Sequence, residues 1–134
     1  MLARVSLVLL SVLVLAWSAV LLRDQERGRA AAERLLEDPK SPPEEFGRDM
    51  ERLEAVELLN PDSQWKLYRS YFWLLRARPG RAAQLAEGLV RDEPENIRAW
   101  QQLYLSSRGR DPARSRQALA MIRRLNPLGR ENPR

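Results

Sequence analysis

Hydrophobic and polar positions divide the chain sharply near residue 23. Val5 to Leu22 is a run of 18 residues without a charge, rich in Leu and Val and bracketed by Arg4 and Arg23. Beyond it the apolar residues recur three and four positions apart among Arg, Glu, Gln and Ala, the period of helices that bury one face. Period-2 alternation, Asn-Gly turns and runs of β-branched residues are missing from this second part. The pattern predicts an all-α chain: an apolar helix followed by amphipathic ones.

As a helix, the run would measure about 27 Å at 1.5 Å per residue, close to the roughly 30 Å of a bilayer core. Trp17 near its carboxyl end suits the headgroup boundary. Ser6, Ser11 and Ser18 are tolerable because a helical Ser can bond back to its own backbone. A spanning signal-anchor is the leading expectation. A cleaved signal peptide, with small residues near Val14-Leu15-Ala16, is a second reading. A buried core helix is a third, although uniform apolarity argues against a surface position. Arg23, Arg27, Arg29 and Arg34 follow the run, against Arg4 before it. The positive-inside rule therefore leans toward a cytoplasmic carboxyl domain on a single-pass cell-membrane protein.

Within the polar part the most informative feature is self-similarity. Pro61, Pro94 and Pro127 are spaced by 33 and 33. Val56, Leu89 and Ile122 lie five positions before each Pro, and Leu53, Ala86 and Leu119 eight before, so each pair shares a helix face. Between the prolines each unit divides into two helices. Trp65 to Ala77 places Trp65, Tyr68, Phe72 and Leu75 on one face, Arg78-Pro79-Gly80 breaks it, and Ala82, Ala83, Ala86, Leu89 and Val90 point inward from the next. In the third unit Ile97, Trp100, Leu103 and Tyr104 form the first face. Gly109, Asp111 and Pro112 read as C′, N-cap and N1, and Ala118, Met121, Ile122 and Leu125 form the second face. Before Pro61 the order is looser. Asp24 to Glu37 is expected to be helical and to run on from the apolar helix. Ser41 with Glu44 suggests a capping box with Pro42 at N1, opening a helix that buries Phe46, Met50, Leu53 and Val56, with Leu59 as a further candidate.

Paired helices at this period, with Trp65-Lys-Leu-Tyr68-Arg-Ser-Tyr-Phe72, Trp100-Gln-Gln-Leu103 and Ala82 at the helix-crossing position, resemble the tetratricopeptide repeat over about residues 44 to 127. The spacing is one short of that repeat. Arg69 and Tyr104 replace its Gly, Ser107 its Tyr and Ser115 its small residue. The repeats are therefore degenerate, and an ordinary bundle of helical hairpins is the alternative. The expected division is an anchor at 1–23, a membrane-proximal helix and linker at 24–43, the repeat domain at 44–127 and a flexible tail at 128–134.

Composition narrows the chemistry. The chain has 134 residues and contains no His, Cys or Thr. That removes thiolate and imidazole catalysis, disulfides and Cys/His metal cages. Glu44-Glu45, Glu51/Glu54 and Asp92-Glu93-Glu95 lie on polar faces or turns. Ser106-Ser107 has no base nearby, and the six glycines form no phosphate loop. No enzymatic role, cofactor, metal or small-molecule substrate is expected. The net charge of +5 averages two unlike regions: residues 24–60 hold 11 acidic and 6 basic residues, residues 108–134 hold 8 Arg and 2 acidic residues. Arg108, Arg110 and Arg114 are candidates for an acidic partner surface, and Tyr71 and Trp73, off the inward face of their helix, for partner contact. Nucleic acid is not expected, because charge alone without a reading motif is weak.

These features imply a membrane-anchored helical-repeat adaptor that binds a protein partner. The resemblance extends to bacterial cell-envelope assembly factors that carry such repeats on a membrane helix. The alternatives are a structural subunit of a membrane complex, a secreted helical domain after signal cleavage, and a basic surface for lipid or nucleic acid.

Overall fold

A computed structural model of the chain describes residues 2–60 and 62–127, without the side chains of residues 2–5, 8 and 59. Among the described residues there are six α-helices and no strand, so the chain is all-α. They are α1 (Leu2–Glu37), α2 (Pro43–Leu59), α3 (Gln64–Leu75), α4 (Pro79–Asp92), α5 (Ile97–Ser107) and α6 (Pro112–Leu125). Pro61 and the tail at 128–134 lie outside the described residues.

α1 is a single 36-residue helix, about 54 Å long. Nothing between its apolar and polar parts breaks it: neither Pro nor a capping residue intervenes before Asp38-Pro39. Ser11 and Ser18 donate to the carbonyls of Leu7 and Val14 at 2.9 and 2.8 Å, as a Ser in an apolar helix does. The two parts differ in surroundings. Every residue from 9 to 20 is exposed, with Leu15 at 70 %, whereas Ala31, Ala32 and Leu35 are buried, Leu35 at 1 %. Among the described residues no helix is long and apolar enough to cross a membrane. The run expected to do so, Val5 to Leu22, includes positions 5 and 8, whose side chains lie outside them.

The remaining helices fold as successive antiparallel neighbours. Each packs on the next, α1 also approaches α3 and α3 approaches α5, whereas the backbones of α2, α4 and α6 do not come close to one another. The odd-numbered helices therefore form one layer and the even-numbered ones another. Two buried clusters hold the layers together. Leu35, Phe46, Met50, Leu53, Val56, Trp65 and Phe72 fill the first, under α1, α2 and α3. Ala83, Ala86, Trp100, Leu103 and Ala118 fill the second, under α4, α5 and α6. Small residues in α4 permit close approach: Ala82 is fully buried and its carbonyl accepts the Ser70 hydroxyl at 2.8 Å.

The turns follow local chemistry. Asn96 caps α5 by accepting the amides of Arg98 and Ala99, and Asp111 caps α6 by accepting that of Arg114, with Pro112 in the first turn. Gly109 between them has φ of 81°, a conformation that a Cβ penalises. Three expectations are corrected. The Ser41–Glu44 capping box does not form: Pro42 occupies the N-cap and α2 has no side-chain cap, while the Ser41 carbonyl accepts from Arg76 at 2.9 Å. The break expected at Arg78-Pro79-Gly80 falls earlier, at Arg76-Ala77-Arg78, because Pro79 and Gly80 already belong to α4, Pro in the first turn having no amide to waste. The chain turns there at Ala77, with φ of 54°. Leu75, expected inward, is 42 % exposed because it is the last residue of α3.

Candidate functional site

The layer made by α1, α3 and α5 carries a long groove. Its first part, a cavity of about 580 Å³, runs between Leu22, Gln25, Arg29 and Leu36 of α1 and Trp65 and Tyr68 of α3. Its second part, of about 270 Å³, continues past Leu36 and Tyr68 to Leu67 and Tyr71 of α3 and Arg98, Gln102 and Leu105 of α5. Helical spacing brings these residues to one side. Positions 22, 25, 29, 32 and 36 of α1 recur every three or four residues, and so do 64, 67, 68 and 71 of α3.

The two parts differ in character. The first is as apolar as it is polar and carries Glu26, Glu33 and Asp62 against the single cation Arg29. The second is mostly apolar and aromatic, with the amides of Gln64, Gln101 and Gln102 and one charge, Arg98. Gln102 is only 7 % exposed, and its buried Nε2 has no hydrogen-bond partner among the described residues. A buried amide N–H left unpaired costs about 1–3 kcal/mol.

At one end of the groove α1 packs closely against α2 and α3. Gly28 is buried where α1 crosses α3. A Cβ at Gly28 would lie 3.0 Å from a Val56 methyl and 3.1 Å from the Trp65 ring. Any larger residue there would force Val56 or Trp65 to give by a few tenths of an ångström. Nearby, Asp49 of α2 is held by Arg34 of α1 at 2.6 Å and by Arg52 at 2.9 Å. Burial alone would raise the Asp49 carboxyl; the hydrogen bonds and charges of Arg34 and then Arg52 outweigh it and hold the group below its ordinary value. Arg34 is correspondingly raised, chiefly by its hydrogen bond to Asp49.

The structure separates the residues singled out from sequence. Tyr71 lies in the groove, 38 % exposed. Trp73 points elsewhere: its ring meets Phe46 edge-on at 5.1 Å and is covered by the Arg81 guanidinium at 4.6 Å. Arg108 and Arg110 project into solvent at the α5–α6 turn, away from the groove. Arg114 is tied across the helices to Glu87 at 2.7 Å and lies 3.6 Å from Asp111, which makes it a brace between α4 and α6. Arg69, at the position where the repeat has Gly, pairs with Glu54 and Glu57 of α2 at 3.0 and 2.6 Å. Sequence reasoning missed Arg98, Gln102 and Leu105, the α5 side of the groove. Their spacing from Ile97 and Trp100 was visible, but the neighbour that makes them a wall is α3.

No protein-family model, curated protein or solved structure matches this chain. Among the described residues no three acidic side chains are grouped to hold a metal ion.

Proposed function

We propose that the chain is a membrane-anchored helical-repeat adaptor, whose groove on α1, α3 and α5 takes up a segment of a partner protein. The observation that carries this reading is the continuity of α1. One uninterrupted helix is apolar and exposed on every side over residues 9–20 and is packed into the core from Gly28 onward. Exposed apolar area of that extent is unfavourable in water and calls for lipid or protein around it. The three helical hairpins are read as degenerate tetratricopeptide-like repeats. The 33-residue spacing, the layer of odd-numbered helices and the buried Ala82 support that assignment. The groove offers what a docked segment needs: apolar area, the cations Arg29 and Arg98, and side-chain amides. Anchoring would confine the encounter to a membrane surface and raise the effective concentration of a partner held there.

Flotation of the full chain with phospholipid vesicles tests the anchor. The intact protein is expected to float with the vesicles, and a chain starting at Gln25 to remain in the dense fraction. Equal behaviour of the two would reject the anchored reading. Amino-terminal sequencing of the protein from its membrane is the complementary check: a mature start near Trp17 would favour the secreted domain instead. For the groove, photo-crosslinking from position 71 or 105 is expected to capture a partner that is lost on Gln102→Leu, with the helical melting profile retained.

A further inference from the structure

The end of the molecule at the α1–α2 and α3–α4 turns holds a second cavity, of about 530 Å³, which shares no residue with the groove. Arg76, Arg78 and Arg81 line it, beside Pro43, Phe46 and Trp73. No carboxylate lines it, and among the described residues none lies within ion-pair distance of these three cations. Glu44 and Glu45 on the first turn of α2 are exposed and outside the lining.

Two of the three guanidinium groups are already placed. Arg76 lies over the Phe46 ring at 4.6 Å, and its Nη1 donates to the carbonyls of Pro39 and Ser41 at 3.3 and 2.9 Å. With both N–H groups of Nη1 used, the Nε–Nη2 edge remains, the side that grips an oxyanion with two parallel hydrogen bonds. Arg81 lies over Trp73 at 4.6 Å. Stacking on a ring orients a guanidinium without neutralising it. The rings therefore act as rests for the cations, and the cations are what the cavity presents. α2 and α4 both begin at its rim, and neither has a side-chain cap, so the partial positive charge of each first turn adds to the same field.

We infer that the Arg76–Arg78–Arg81 cavity is a binding site for a phosphate-type oxyanion, as inorganic phosphate or as a phosphate monoester. A single carboxylate would leave two cations uncompensated, whereas a phosphate carries about −1.5 to −2 charges and three acceptor oxygens. The site adds a ligand to the adaptor and does not depend on what fills the groove.

The test is a thermal-unfolding and calorimetric titration of the full chain in detergent micelles, with sodium phosphate and glycerol 3-phosphate against sodium chloride at matched ionic strength. A saturable rise in Tm with phosphate is expected, weakened about tenfold or more in apparent affinity by Arg78→Gln and again by Arg81→Gln. Arg108→Gln, an exposed cation outside the cavity, is expected to leave it unchanged. Equal response to the two anions marks free phosphate as sufficient, and a stronger response to glycerol 3-phosphate marks an esterified ligand; both support the site. No response beyond that of chloride, or the same loss in Arg108→Gln, overturns it. So does binding of a tetraglutamate peptide with no response to phosphate, which would make the cavity a dock for acidic protein. Arg78 and Arg81 are surface residues, so the circular-dichroism spectra of their variants serve as the check on folding.

Discussion

The two halves of α1 are one helix with opposite relations to their surroundings. In the first, Leu13 and Leu15 project on opposite sides and both are exposed. In the second, Ala31, Ala32 and Leu35 face one way, into the cluster with Phe46, Leu53 and Trp65, while Arg27, Arg29 and Glu33 face solvent. An element whose apolar residues cover its whole circumference cannot be satisfied by one packed neighbour, whereas a stripe can. The change falls between Leu22 and Gly28, within about two helical turns and with no linker. Whatever surrounds the first half is thereby held in a fixed relation to the groove, because no hinge of Gly or Pro separates them before Gly28 closes on Trp65.

The same substitution in each half should give opposite results. Leu35→Asp places an unpaired charge at a site 1 % exposed, and is expected to cost about 4 kcal/mol or more, enough to unfold a marginal domain. Leu15→Asp, at a site 70 % exposed, should leave thermal unfolding of the helical domain nearly unchanged. If α1 is the anchor proposed above, it should instead weaken vesicle flotation, since Asp near the centre of a spanning helix costs about 2.5–3.5 kcal/mol. Loss of Tm in both variants would mean that the first half packs on the domain; loss in neither would dissolve the distinction.

Gly28 is where the halves are joined to the core, and Gly28→Val sharpens the comparison. A Cβ and two methyl groups must enter space already taken by Val56 and Trp65, at an expected cost of roughly 1–3 kcal/mol. Trp65 is the reporter: its fluorescence should shift toward that of a solvated indole, with flotation retained. An unchanged spectrum and unfolding midpoint would show that α1 approaches α3 less closely than the structure has it.

A smaller contrast of the same kind sits on α3. Trp73→Ala removes the ring that carries Arg81 and abuts Phe46, and should cost about 2 kcal/mol of stability. Tyr71→Ala, two residues away in the groove, should cost no more than about 1 kcal/mol and act instead on crosslinking to a partner. The reverse ranking in chemical denaturation would place the groove on the wrong face.

These pairs also mark how far the sequence was readable. Helix number and phase were local properties. The apolar positions of α2 and α4, the Asp111 cap with Pro112 and the positive φ of Gly109 all follow from residues within a turn of one another. The site was not local. Tyr71 and Trp73 looked equivalent because both lie off the inward face of α3, and only Phe46, 27 positions back, distinguishes them. Arg114 looked like a free cation because Glu87 is as distant in sequence. The α3–α4 turn misled for a physical reason: Pro-Gly suits the opening of a helix as well as a loop, and Ala77 took the left-handed position where glycine is the usual choice.

The smallest effect concerns the tie between α1 and α2 and carries a sign that pH can test. Asp49 is nearly buried and accepts from both nitrogens of the Arg34 fork, at 3.1 and 2.6 Å, and from Arg52 at 2.9 Å. Asp49→Asn keeps the shape and removes the charge, and should cost about 1–2 kcal/mol at pH 7, a modest figure because both arginines remain half in water. The folded carboxyl titrates below its unfolded value. Its contribution is therefore fully present above the unfolded value of about 3.9 and is lost as pH falls through the folded one. Urea midpoints of the two proteins should be well separated at pH 7 and draw together below about pH 4. A separation independent of pH would mean that the pair acts through shape alone. One that widened in acid would reverse the sign and remove Asp49 as the charged clasp on the packed half of α1.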